Sequence, residues 1–263
     1  MDAASNVSSV SRLRAGLPLR LRAVGVHFGI SGVLFAAALY LILARWYPGF
    51  HFWVDGGWQG VRIMAAVDFI LGPILTLVIF NPFKARRLIA FDLVCIGLVQ
   101  LGALGWGFYA IHSQRPVAVS FHDGGFYSVT AEPLRIEETD PASLATLSDR
   151  APALVYVAPP ATADEEARAA MQEMLGVVAA HEDPLFFRRF ADHWPEVRER
   201  AQNPAQRAED GTAFARDLPK FLARHGGQSG DYTFFPYFGR YGTCTLALTG
   251  DGEPVGALGC QRL

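Results

Sequence analysis

Three uninterrupted apolar runs, Ala23–Ala44, Val61–Phe80 and Leu88–Ile111, occupy most of the first 111 residues of this 263-residue chain. A helix rises about 1.5 Å per residue, so about 20 apolar residues cross the roughly 30 Å hydrocarbon core of a bilayer. Each run meets that length. The buried helices of a soluble protein are shorter and carry polar faces, which these runs lack. The first run is also too long for the apolar core of a signal peptide and has no small-residue cleavage site, so it is expected to stay as an anchor. Charged residues make up 18% of the chain, against roughly 25% in soluble domains, and the deficit falls within these runs. The net charge is −2 and no basic stripe interleaves with aromatics, so nucleic acid is excluded as a partner. The partner that composition points to is the lipid bilayer.

Arg and Lys cross membranes poorly and collect on the cytoplasmic side. Arg12, Arg14, Arg20 and Arg22 precede the first run, and Lys84, Arg86 and Arg87 fill the loop between the second and third. Both segments are therefore expected in the cytoplasm. The loop from Arg45 to Gln59 is rich in aromatics, as a membrane–water interface prefers, and is expected on the opposite face. The expected organisation is a disordered cytoplasmic tail over 1–22 and a three-helix transmembrane domain over 23–111, with spans 23–44, 61–80 and 88–111. An exported domain follows over 112–263. In a bacterium this means a multi-pass inner-membrane protein with a small α+β periplasmic domain of antiparallel strands.

Within the exported part, the pattern from Val117 to Thr130 places strand-forming residues on both sides of Asp123-Gly124-Gly125, which signals a hairpin. Ala153 to Ala158 forms a short buried strand. Thr162 with Glu165 makes a capping box for a helix running to about His181. On that helix Met171, Met174, Leu175 and Val178 form one apolar face, expected in the core. Phe186–Gln202 and Gly211–Arg224 suggest further short helices. The chain closes on a hairpin, Thr243–Thr249 and Pro254–Cys260, whose pairing sets Cys244 opposite Cys260. In an oxidising compartment the two form either a disulfide or a pair of reduced apolar thiols. Cys95 lies in the third span as packing.

Ionisable groups inside lipid need partners. The second and third spans are antiparallel neighbours, so depths compare directly: Asp68 and Gln100 lie about 18 Å from the cytoplasmic surface, and His27 and Asp92 about 6 Å. Two interhelical hydrogen bonds are expected, Asp68 to Gln100 and His27 to Asp92. The alternative, a proton path, needs a continuous chain of ionisable groups, and apolar residues separate these two clusters. Gly25 and Gly29 form a G-x-x-x-G step, and Gly72 and Pro73 interrupt the second span; both features favour close helix packing. His122, His181, His193 and His225 have no metal-ligand spacing. With no C-x-x-C, G-x-S-x-G or phosphate-binding glycine loop either, neither enzymatic activity nor a cofactor is expected.

The segment Trp46-Tyr47-Pro48-Gly49 with Phe52, the Gly56-Gly57-Trp58 loop, Val67-Asp68, Leu71-Gly72-Pro73 and Phe80-Asn81-Pro82 together resemble the TfpX/TfpZ family of type IV pilin accessory proteins. The likeness continues through Phe91-Asp92-Leu93, Gln100-Leu101, Gly107-Phe108-Tyr109 and Arg115-Pro116-Val117. It covers roughly residues 24 to 130, with a looser likeness at Pro236, Arg240 and the turn from Gly252 to Gly256. The resemblance implies an inner-membrane helper that supports the stability of a cognate type IV pilin or its incorporation into the pilus, and it brings no catalytic residues. The competing class is a membrane-anchored periplasmic sensor or ligand-binding module. Such a sensor needs a cytoplasmic output, and only a tail and one short loop are expected there.

Overall fold

The computed structural model describes residues 3–79, 83–201 and 212–262, with side chains from residue 17. It forms two compact units, residues 1–42 with 58–111, and residues 43–57 with 112–263. The first contains the long helices α1 (Ala3–Leu41), α3 (Gly57–Ala66), α4 (Gly72–Ile79) and α5 (Arg86–Ser113); the short helix α2 (His51–Val54) belongs to the second. Three stretches, Leu17–Trp46, Gly57–Ile79 and Arg86–Ser113, are long and apolar enough to cross a membrane. Because α1 starts at Ala3, residues 3–22 continue the helix where the sequence suggested an aperiodic tail. Once a helix is nucleated, adding Ala, Leu and Arg residues costs little.

Residues Val67–Leu71 join α3 to α4 as a π-helical turn. Pro73 explains it, since it has no N–H for the carbonyl of Phe69 and its ring crowds the preceding turn. Inside this unit Phe69 packs between Phe28 and Phe35 of α1, each ring pair 5.0 Å apart. Ile111 of α5 fills the space beside Gly60.

The second unit is built on a seven-stranded sheet. Its strands are β1 (Pro116–His122), β2 (Gly125–Thr130), β3 (Ala153–Val157), β4 (Phe187–Arg189), β5 (Thr233–Gly239), β6 (Gly242–Leu248) and β7 (Pro254–Arg262), in the order β4-β3-β1-β2-β5-β6-β7. The sheet is mixed, not antiparallel as expected: β1 runs parallel to β3, and β2 to β5. Strand patterning reports burial but not direction, and both parallel pairs are joined by the long connections that such pairs require. The two expected hairpins form, β1–β2 and β6–β7. Phe187–Arg189 is a strand paired with β3, where a helix was expected.

Both faces of the sheet are covered. One buries Phe121, Phe126, Phe235, Tyr237 and Leu246 under Phe190, Trp194 and Val197, the last two from α8 (Trp194–Glu199). The other buries Leu134 of α6 (Ala131–Ile136), Val155 and Phe186 in one cluster, and Phe234 and Leu258 under Phe214 and Phe221 of α9 (Ala213–His225) in another. The helix α7 (Ala163–Leu175) departs from expectation. Thr162 caps it by accepting from the Glu165 N–H at 3.2 Å, and it stops at Gly176 in the left-handed region. Met171, Met174 and Leu175 are exposed, and of the expected apolar face only Val178, beyond the helix, is buried. What holds α7 is polar, with Arg168 bonded to Glu137 and Asp183, each at 2.7 Å.

Candidate functional site

The intramembrane polar residues gather differently from the expected pairs. Asp92 bonds to Lys84 and not to His27. His27 lies deeper, against Gly72 and Gln100: a Cβ on Gly72 would come within 2.7 Å of His27 Nε2 and closer still to Gln100 Nε2. The expected depths failed because α1 has no start near residue 23 from which to count, and because Lys84, eight residues from Asp92, is a nearer partner. Asp68 is buried within electrostatic reach of His27. The Asp68–Gln100 bond is not made: Gln100 Nε2 and Asp68 Oδ2 are both buried without a hydrogen-bond partner. Ser31 Oγ lies 3.4 Å from His27 Nε2, and Thr76 donates to the Gly72 carbonyl at 3.1 Å. His27, Asp68 and Gln100 therefore form one under-bonded cluster around the Gly72-Pro73 interruption. Such groups retain the capacity to take a hydrogen bond from outside the chain.

Gly25 and Gly29 do not pack against any of the described residues. A Cβ at either position would meet nothing within 4 Å, so their face of α1 is open.

The aromatic segment 43–57 is part of the sheet unit. Tyr47, Phe52 and Val54 are buried, where the sequence placed this loop at a membrane interface. Burying each of them contributes about 2 kcal/mol, so packing against the sheet outweighs lying at an interface. Two glycines make room for the segment: a Cβ on Gly239 would lie 2.8 Å from the Val54 carbonyl, and one on Gly242 would lie 3.1 Å from Val54 Cγ1. The Tyr241 N–H donates to the Val54 carbonyl at 2.7 Å.

Beneath this contact, His51 Nδ1 lies 2.6 Å from Asp55 Oδ2, and the Tyr237 hydroxyl donates to the same oxygen at 2.9 Å. All three residues are buried, and burial beside Asp55 pushes the Tyr237 phenol well above its ordinary range. The group thus stays protonated and keeps donating. The Asp55 carboxylate holds the segment to β5. Sequence reasoning missed these residues; a His and an Asp four apart within an aromatic segment is the signal that finds two of them.

Trp46 packs edge-on against His112 with ring centroids 4.8 Å apart, and Pro48 and Gly49 line a cleft. Gly57 is held tightly against Tyr47 and Phe52, and Arg62 sits over the Trp58 ring. Asn81 and Pro82 lie outside the described residues.

Cys244 and Cys260 are joined as a disulfide across β6 and β7, beside a bulge at Gly259. Elsewhere in the unit, burial and the neighbouring His122 lower the His181 pKa to about 4, so its ring is neutral at pH 7. Among the described residues no group of three His, Cys, Asp or Glu side chains is arranged to hold a metal ion.

The cleft has a volume of about 790 Å³, within the range of ligand-binding clefts. Its walls are the 48–53 segment, the loop at Arg150–Pro152, α9 and the outer strand β7.

No family model and no solved structure matches the chain. Three proteins of Dichelobacter nodosus match it over 97 residues, or 37% of its length. These are the fimbrial assembly proteins of serogroup E1 (35% identical), of serogroups C1 and C2 (34%) and of serogroup I (34%). The match covers 38% of the serogroup E1 and I proteins, well under two thirds of their length, and 74% of the protein from serogroups C1 and C2. On that last coverage, the chain belongs to the family of these fimbrial assembly proteins.

Proposed function

We propose that this chain assists the assembly of a type IV fimbria from the bacterial inner membrane, supporting the stability or the incorporation of one cognate pilin, and that it does so without catalysis. Its membership of the fimbrial assembly family carries this reading. The finer likeness to TfpX/TfpZ proteins rests on the motifs around Trp46–Gly49 and Gly72-Pro73.

The fold supports the expected topology by a physical route. That residues 43–57 and 112–263 build one core supports a reading in which they share one side of the bilayer, as three crossings require. Arg20, Arg22, Lys84, Arg86 and Arg87 then fall on the other side, where the positive-inside rule puts the cytoplasm, and the sheet unit is periplasmic. A pilin held in the membrane before assembly would meet two features of the helical unit. One is the open Gly25–Gly29 face of α1, which lets a second helix approach closely; the other is the under-bonded His27, Asp68 and Gln100 cluster.

Deleting the gene and measuring total cellular pilin alongside surface fimbriae tests the reading. Loss of surface fimbriae, with pilin degraded or retained in the membrane and rescued by the intact chain, is the expected outcome. Normal fimbriae and normal pilin would overturn it.

A further inference from the structure

The sheet curls without closing. Val119 of β1, Leu154 of β3 and Leu246 of β6 line the same cleft although β2 and β5 lie between β1 and β6 in the sheet, and Arg150 bonds to Glu253 across the opening. The strand bordering the opening is β7, which ends the strand order; of its residues, Pro254 through Cys260 all line the cleft. Their outward N–H and C=O groups have no backbone partner among the described residues. An unpaired edge recruits further strands unless it is blocked. Here the Gly259 bulge, packed against the start of α9, blocks one end; 254–257 beyond it are half-buried, and the Leu258 side chain packs under Phe214 and Phe221.

The walls add a chemistry. Phe50, Trp53 and Phe221 supply apolar and aromatic surface. Lys220 and Arg224 on α9 supply positive charge; Arg150 is occupied by Glu253, and the one carboxylate on the wall, Asp217, also has Arg216 at 3.5 Å. Lys220 lies 3.8 Å from Asp217, and its side chain is 77% exposed.

We propose that this cleft binds an extended, carboxylate-bearing peptide segment of another protein, which pairs with the outer edge of β7 as an eighth strand while its acidic side chain meets Lys220 and Arg224. Main-chain pairing supplies affinity, and the apolar wall and the two cations supply selection, as in other cases of strand addition. The floor is rigid because His51, which lines it, is fixed by Asp55. The inference goes beyond the assembly role and does not depend on which protein is assembled.

The test uses the full chain in nanodiscs with fluorescein-labelled hexapeptides. One is Thr-Val-Glu-Val-Glu-Val, a second carries Lys in place of Glu, and a third is the acidic peptide N-methylated at alternate amides so that it cannot pair. Saturable anisotropy change with the acidic peptide is expected, at least tenfold weaker binding of the Lys peptide, and no competition by the N-methylated one. Lys220→Glu combined with Arg224→Glu lies on exposed positions and should leave the melting temperature unchanged while reversing the preference between the two charged peptides. Equal binding of both charged peptides, or competition by the N-methylated peptide, would overturn the proposal. So would binding of dodecanoate with no binding of any peptide, which would make the cleft an acyl-chain site.

Discussion

The two units bond their buried carboxylates to different extents. In the sheet unit a buried carboxylate, Asp55, serves two partners, and Arg168 answers a second, Asp183. In the helical unit Asp68 is also buried, and its Oδ2 and the amide nitrogen of Gln100 have no hydrogen-bond partner among the described residues. The sheet unit keeps orphans too, Asp55 Oδ1 and Arg168 Nε, so the difference lies in how many bonds each buried carboxylate makes. The helical unit gathers Asp68, Gln100 and His27 around Gly72, and a Cβ at Gly25 or Gly29 of α1 would meet nothing within 4 Å among the described residues. On the reading proposed above, a partner would dock at α1 and the Gly72-Pro73 interruption.

Four substitutions or conditions sharpen or break this contrast, taken from the largest expected effect to the smallest. Asp55→Ala leaves His51 and the Tyr237 hydroxyl buried without their shared acceptor, at a cost of about 4 kcal/mol. Denaturant unfolding followed at Trp194 should show it, with the helical circular dichroism of the long spans unchanged; equal loss from both units would break the contrast. Removing the disulfide by Cys244→Ser with Cys260→Ser releases a loop of sequence separation 16 and should destabilise the sheet unit by about 3 kcal/mol. A shift in the denaturant midpoint checks it.

The next test, a pH dependence, ranks in size between the disulfide and Asp68→Leu. His181 titrates near 4 in the fold and near 6.5 in the unfolded chain, so the unfolded state binds more protons between those values. Its contribution is fully present above pH 6.5, declines as pH falls and is gone by pH 4. Burial raises the pKa of the adjacent Glu182 and gives it the opposite sense, so the comparison is between the chain and His181→Asn. The variant should lose midpoint shift between pH 7 and 4.5. Asp68→Leu should behave in the opposite manner to Asp55→Ala. Because one oxygen of that carboxylate is already unpaired, its loss should change the stability of the helical unit by less than about 1 kcal/mol, measured by SDS titration. A large destabilisation would mean that Asp68 holds the helices together.

The sequence was legible where one period or one local signal decided the outcome. Run length marked the three spans, the Asp123-Gly124 turn marked the first hairpin, and symmetric pairing about Asp251 set Cys244 against Cys260. It was illegible where distant segments compete. Nothing local says that β1 will take β3 as a parallel neighbour, or that Tyr47, Phe52 and Val54 will leave an interface for a sheet nearly two hundred residues later in the chain. The apolar stripe on α7 misled for a related reason. Spacing defines a face but not what covers it, and Arg168 already anchors that helix through its polar side. The intramembrane pairs failed on an assumed starting depth, although the residues themselves, His27, Asp68 and Gln100, do meet around Gly72.

The most direct test of the central claim, that the helical unit receives the pilin, is crosslinking in fimbriated cells. A photoreactive phenylalanine analogue at Gly29, on the open face of α1, is compared with the same analogue at Leu98, an exposed position on α5. The account predicts a pilin adduct at position 29 and far less at position 98. Fimbriae that assemble normally with no pilin adduct at position 29 would contradict it.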